Sequence, residues 1–152
     1  MNESEKKIIG NIDEYGCHIT SVVDRKKEDP DFTYTIGINQ EEKAPELIVL
    51  GLRHELGSWI ANEYNRRVKG GEKFLEGEYY NGFLEGFQVS FREVAEEYKK
   101  EFMLSCNWLY KGTNYPALQL VYPNISGVWP WAEDADEEFR DLQPSFQEKP
   151  EW

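Results

Sequence analysis

Phe32-Thr33-Tyr34-Thr35-Ile36-Gly37-Ile38 sets four large apolar groups, Phe32, Tyr34, Ile36 and Ile38, at every second position against Thr33, Thr35 and Gly37. Successive side chains of an extended chain point to opposite faces, so this period of two predicts a half-buried strand. After a polar loop over residues 39–45, Leu47-Ile48-Val49-Leu50 is apolar without interruption. A strand covered on both faces reads that way. Upstream, residues 18–23 are rich in β-branched side chains and predict another strand, joined to the first by the charged, Pro30-containing stretch 24–31. Downstream, Leu52, Leu56, Trp59, Ile60, Tyr64 and Val68 recur at helical spacing until Gly70-Gly71 stops them.

The outer segments extend the same reading. Ile8, Ile9, Ile12 and Tyr15 share one helical face, with Ser4 as the expected N-cap and Gly16 as the stop. Residues 72–86 are rich in glycine and aromatics and predict an extended excursion with a short strand. Phe87, Val89 and Phe91 alternate with Gln88, Ser90 and Arg92, a further half-buried strand. Val94, Tyr98, Phe102, Cys106 and Leu109 define a second long helix ending near Gly112. Pro116 and Pro123 fence a short strand over 117–122, and a short helix is expected near 136–142. The fold class that follows is α+β: one domain over residues 1–144, with a largely antiparallel sheet, barrel-like if it curls, packed with two long helices. Residues 145–152 read as an acidic, irregular C-terminal tail. From Glu133 onward, eight acidic residues stand against Arg140 and Lys149.

At 152 residues with 39% hydrophobic and 14% aromatic side chains, the chain can bury a sizeable core without staples. Its 17 Lys and Arg against 29 Asp and Glu give a formal charge of −12. That charge repels phosphate backbones and anionic lipid, which argues against a nucleic-acid or membrane partner. It favours either plain solubility or a basic protein partner met at a raised on-rate. Cys17 and Cys106 stand far apart, as do His18 and His54, so no metal-ligand spacing exists and no cofactor is predicted. Residues 1–7 are polar, with no apolar run after them. No secretory leader is therefore expected, and the cytoplasm is the expected address.

Several segments taken in order carry a likeness. They are residues 32–38, Pro45-Glu46-Leu47-Ile48-Val49-Leu50-Gly51-Leu52, and Gly82-Phe83-Leu84-Glu85-Gly86-Phe87. Then follow Tyr115-Pro116-Ala117-Leu118-Gln119-Leu120-Val121-Tyr122-Pro123, Trp129-Pro130-Trp131 and Phe139-Arg140-Asp141-Leu142-Gln143-Pro144. Over roughly residues 12–144 this ordered set resembles the bacterial domain-of-unknown-function family 4262. The resemblance implies the domain's extent and no activity. Ala44 stands where that family commonly has a histidine, and Asn124 where it commonly has an aspartate. Both departures weigh against an acid–base site here.

The candidate ligand- or partner-binding residues are Thr33, Thr35, Glu46, Arg53, Gln119, Trp129, Trp131 and Arg140. Glu46 at a strand mouth offers a general base or a cation ligand, or else a cap. Thr33 and Thr35, with Arg53 at a helix start, offer hydroxyls and a cation for phosphate, or else ordinary strand propensity. Gln119 inside an apolar strand needs hydrogen-bond partners, from a sheet edge or from a ligand. Trp129 and Trp131 either stack on a partner or clamp the acidic tail. No catalytic set is evident: Cys17 and His18, adjacent on a strand, point apart, and Ser126-Gly127 lacks a nucleophile elbow. Two functions therefore compete, beside a plainer structural or oligomer-forming role with no separate ligand. One is a non-catalytic, acidic protein-binding domain of immunity or inhibitor type, monomer or homodimer. The other is a flavin- or nucleotide-binding, split-barrel-like module or enzyme.

Overall fold

Asn2 opens the first helix by accepting the backbone N–H of Glu5, whose carboxylate returns a bond to the backbone of Asn2. This reciprocal cap sits two residues before the expected Ser4, and Gly16 ends the helix in the left-handed conformation as read. The computed structural model describes residues 1–26 and 28–152, so one residue of the expected 24–31 loop lies outside the described residues. The elements run α1 (Glu3–Tyr15), β1 (His18–Val22), β2 (Phe32–Ile36), α2 (Ile38–Glu42), β3 (Glu46–Leu50) and α3 (His54–Lys69). Then come β4 (Tyr79–Leu84), β5 (Phe87–Glu93), α4 (Glu96–Phe102), α5 (Leu104–Tyr110), β6 (Ala117–Val121) and α6 (Glu137–Leu142).

The six strands among the described residues form one sheet in the order β1-β2-β3-β6-β5-β4. Every pairing is antiparallel except β3 with β6, where Glu46 lies beside Ala117. The sheet is open, with β1 and β4 as its edges, so the barrel-like arrangement is corrected. A barrel needs its first and last strands to pair; here helices pack on both faces of an open sheet instead. Leu47 and Val49 enter one core with Ile60, Tyr64 and Val68 of α3. Ile48 and Leu50 enter the other with Ile8 and Ile12 of α1, Met103, Cys106 and Phe146. The uninterrupted apolar run of β3 follows from that double covering.

The expectation of two long helices is also corrected. α3 has 16 residues, but the second predicted helix breaks at Met103, whose φ of −97° and ψ of 55° are not helical. Met103 is fully buried, while α4 has no buried residue. Tyr98 and Phe102 of α4 and Cys106 and Leu109 of α5 nonetheless pack against the same core, so the hydrophobic spacing runs on across the bend. Trp59, read as part of the apolar face of α3, is 53% exposed; Gly57 and Ala61 take the buried positions there.

Gly57 is small because β2 lies against it: a Cβ at this position would sit 2.5 Å from Thr33 Oγ1 and 3.0 Å from its Cβ. Alanine normally favours a helix over glycine by about 1 kcal/mol. At Gly57→Ala the collision should reverse that sign and cost about 1–3 kcal/mol in urea-induced unfolding. A stabilised G57A protein would mean that α3 and β2 part easily.

Candidate functional site

Glu46, the first residue of β3, is fully buried. Its carboxylate accepts hydrogen bonds from Thr35 Oγ1 at 2.8 Å and from the backbone N–H groups of Gly37 at 3.0 Å, Ile38 at 3.2 Å and Asn39 at 3.1 Å. Tyr110 of α5 donates its hydroxyl as a fifth partner. Three of these donors are the otherwise unpaired N–H groups that open α2, a helix with no side-chain cap of its own. Gly37 makes the geometry possible: its φ is 108°, and a Cβ there would lie 2.7 Å from Ile12. Thr35 Oγ1 also accepts the N–H of Leu47 at 2.9 Å, which fixes the rotamer that serves Glu46.

The structure thus brings together two candidates, Thr35 and Glu46, that lie eleven residues apart. Burial raises the Glu46 carboxyl pKa, against the lowering effect of the hydrogen bonds from Tyr110, Asn39, Thr35 and Gly37. Cys17 and Cys106 are both buried thiols. Burial, helped by the Glu46 charge, pushes Cys17 up to about 12 and Cys106 well above its usual range, so neither supplies a thiolate.

Thr33 turns elsewhere. Its hydroxyl lies 2.9 Å from Ser21 Oγ on β1, and Ser21 in turn lies 3.3 Å from His54 Nδ1 at the start of α3. This serine–histidine approach spans 33 positions and is invisible to local motif reading. Among the described residues no carboxylate bonds His54, so the contact is a polar tie between β1, β2 and α3. With Thr33 and Thr35 both engaged inside the protein, neither hydroxyl is free to take a phosphate.

Gln119 is fully buried. Its amide donates to Pro144 O at 2.8 Å and accepts from Phe146 N at 3.0 Å. Gln143, missed in the sequence, does the same to Tyr122, accepting its N–H at 3.0 Å and donating to its carbonyl at 2.9 Å. Two glutamine side chains therefore stand in for backbone rungs and hold residues 143–146 along β6. Trp129 and Trp131 stack with centroids 4.9 Å apart and planes 8° from parallel, and Trp152 tilts against Trp131 at 5.9 Å. Arg140 donates to Pro130 O at 2.9 Å and Ala132 O at 2.7 Å, which locks the tryptophan loop. The guanidinium of Arg92 lies 4.5 Å from the Trp131 ring and pairs with Glu151. Gln119, Trp131 and Arg140 therefore serve the docking of the C-terminal segment.

Arg53 is exposed, and its side chain does not cap α3. It lines an open cleft of about 790 Å³ whose other polar walls are Asp24, Glu28, Asp29, Asp31, Glu138 and Asp141. The Asp24 carboxyl is held below its usual range by the backbone N–H groups of Asp29 and Lys26, foremost among its partners. The β1–β2 loop and α6, far apart in sequence, build this cleft from short-range charge. Six carboxylates around one arginine oppose a phosphate and attract a cation. Among the described residues no group of three or more His, Cys, Asp or Glu is placed to hold a metal ion. No described helix is long and apolar enough to cross a membrane.

Among family models, the one described as Domain of unknown function (DUF4262) matches residues 11–136. No curated protein and no solved structure matches the chain.

Proposed function

The chain belongs to the DUF4262 family, whose description names no activity, and on that premise we propose that it is a non-catalytic, acidic binder of a basic protein partner, of immunity or inhibitor type. The observation that carries this reading is the open cleft in which Asp24, Glu28, Asp29, Asp31, Glu138 and Asp141 face one arginine. A formal charge of −12 adds long-range attraction, and the cleft adds a place for it to converge. The side chains that looked chemically active support the reading by being occupied: Glu46 caps α2, Thr35 serves Glu46, and both thiols are buried. A bacterial cytoplasm, where Cys17 and Cys106 stay reduced, is the setting that fits, with the chain as a monomer or homodimer.

Backbone-amide NMR with a lysine- and arginine-rich peptide tests this. At about 0.01 M ionic strength, where fields reach about 30 Å, shifts should concentrate in residues 24–31, 51–53 and 138–142; at about 1 M they should vanish. Reversing two exposed charges, Asp29→Lys with Asp141→Lys, should weaken binding about tenfold or more without moving the thermal midpoint. Shifts scattered over every acidic residue, or binding indifferent to the two reversals, would refute the cleft as the docking site. The products of neighbouring genes are the natural partners to try next.

A further inference from the structure

A second concavity, sharing no residue with the acidic cleft, has the opposite character. It encloses about 520 Å³ between the segment after α2 and the segment after α3. Ala44, Pro45 and Leu75 supply apolar surface over the buried Tyr64, Val68 and Phe74, and Lys43, Lys69 and Lys73 bring cations to it. Three of the chain's 17 basic residues thus gather on one small site in a protein of charge −12. The two carboxylates beside them are not equal. Glu72 is held in a two-point bond by Arg67, at 2.8 and 2.6 Å, which leaves Glu42 as the lining acid without a partner among the described residues. The Lys69 ammonium donates to Tyr15 O, whereas the side chains of Lys43 and Lys73 make no hydrogen bond or ion pair among the described residues.

The walls are preformed. Tyr64 donates its hydroxyl to Pro45 O at 2.8 Å, and Tyr80 accepts the N–H of Leu75 at 2.7 Å. Lys43 itself sits at φ 60°, a left-handed conformation that a lysine rarely adopts. It is the C-cap of α2, its N–H donating to Asn39 O, and this fixes where its side chain leaves the backbone. Leu75 is 60% exposed at the margin, an apolar group left for something to cover.

We propose that this cavity binds a small amphipathic organic anion, an aromatic carboxylate or its sulfonate equivalent, with the ring on the Ala44–Pro45–Phe74–Leu75 surface and the charge toward Lys43 and Lys73. Its volume falls within the range of small-molecule sites, which pair an apolar lining with a few polar groups that fix orientation. Lysine is the fitting cation here, because its flexible stem can follow the anion of a ligand that the apolar floor has positioned.

The probe is 1-anilinonaphthalene-8-sulfonate, followed by fluorescence on the full chain. The expected result is saturable binding at one site, weakened about tenfold or more by Lys43→Ala with Lys73→Ala. N-phenyl-1-naphthylamine, the same rings without the sulfonate, should bind about tenfold more weakly. Ala44→Trp, which fills the cavity, should abolish the signal, and Trp129→Ala should leave it unchanged. Circular dichroism confirms that each variant is folded. The proposal is overturned if binding is not saturable, if it is lost in W129A, or if the lysine pair is neutral. Equal affinity for the uncharged probe would overturn it as well.

Discussion

Replacing Glu46 by alanine is expected to lower the unfolding free energy by about 3–5 kcal/mol, since each buried donor left without an acceptor costs about 1–3 kcal/mol and entering water relieves part of it. The donors concerned are the N–H groups of Gly37, Ile38 and Asn39 and the hydroxyls of Thr35 and Tyr110. Against a total stability of about 5–15 kcal/mol for a domain, that is a third or more in most cases. Glu46→Gln keeps the volume and one acceptor oxygen and should cost about 1–3 kcal/mol. The pH dependence separates the two states of the carboxyl. Its folded-state pKa is raised, chiefly by burial. The folded protein therefore holds the proton at pH values where the unfolded chain, ionising near about 4.3, has released it. This contribution to stability is complete below about 4.3 and is lost as pH rises through the folded value. Urea titrations at a series of pH values should show the advantage of wild type over E46Q shrinking as pH rises, then levelling off. An advantage that grows with pH would mean that the five hydrogen bonds outweigh burial and hold the group as an anion.

Glu46 also shows what a sequence can and cannot tell. Its placement at the mouth of a doubly covered strand was readable, because Leu47-Ile48-Val49-Leu50 has no polar interruption. That the carboxylate would cap a helix was not readable, since α2 is a five-residue turn of helix inside a stretch read as a polar loop. Nothing in Ile38-Asn39-Gln40-Glu41-Glu42 marks a start or a stop; the cap comes from Glu46, farther along the chain. Periodicity located α3, β2 and β5, whereas an unbroken apolar run located β3 and flanking prolines located β6; β2, expected to be half-buried, is buried on both faces because helices cover both sides of the sheet. Periodicity misled where two elements share one spacing. The apolar series through Val94, Tyr98, Phe102 and Cys106 runs on across the bend at Met103, because i+4 spacing records which residues are apolar and not whether the axis is straight.

The candidate residues were found as chemical types, and their roles depended on partners remote in sequence. Gln119 was conspicuous as an amide in an apolar strand, yet its partners lie in residues 144–146. Gln143 does the same work from the other side and was silent, because a glutamine in a polar stretch carries no signal. The acidic cleft was legible only as a net charge. Its convergence depends on β1, β2 and α6 ending near one another, which is tertiary information.

Removal of residues 145–152 is the second change expected to have a large effect, even though composition marks them as an irregular acidic tail. Phe146 is 2% exposed, stacks on Tyr98 at 4.5 Å with planes 3° apart, and meets Phe102 at 4.7 Å. Its carbonyl accepts the N–H of Ala95 at 2.8 Å, which ties the start of α4 to the strap. Phe146→Ala alone should cost about 3–5 kcal/mol, the transfer of the ring plus the space it leaves. Truncation after Pro144 should cost at least that much, because it also takes away the partner of the Gln119 oxygen, the Glu151 pair of buried Arg92 and the Trp152 indole that donates to Gln143 O. Trp152→Ala leaves Phe146 in place and should cost less, about 1–3 kcal/mol. Urea unfolding ranks the three, and a cycle pairing F146A with Tyr98→Ala should show a coupling of about 0.5–1.5 kcal/mol from the stacked rings. If truncation shifted the stability by less than about 1 kcal/mol, the contacts of the strap would be matched by equal order lost in the free chain. The ordering is therefore a direct measure of whether apolar anchors, and not the acidic residues around them, decide where an acidic terminus lies.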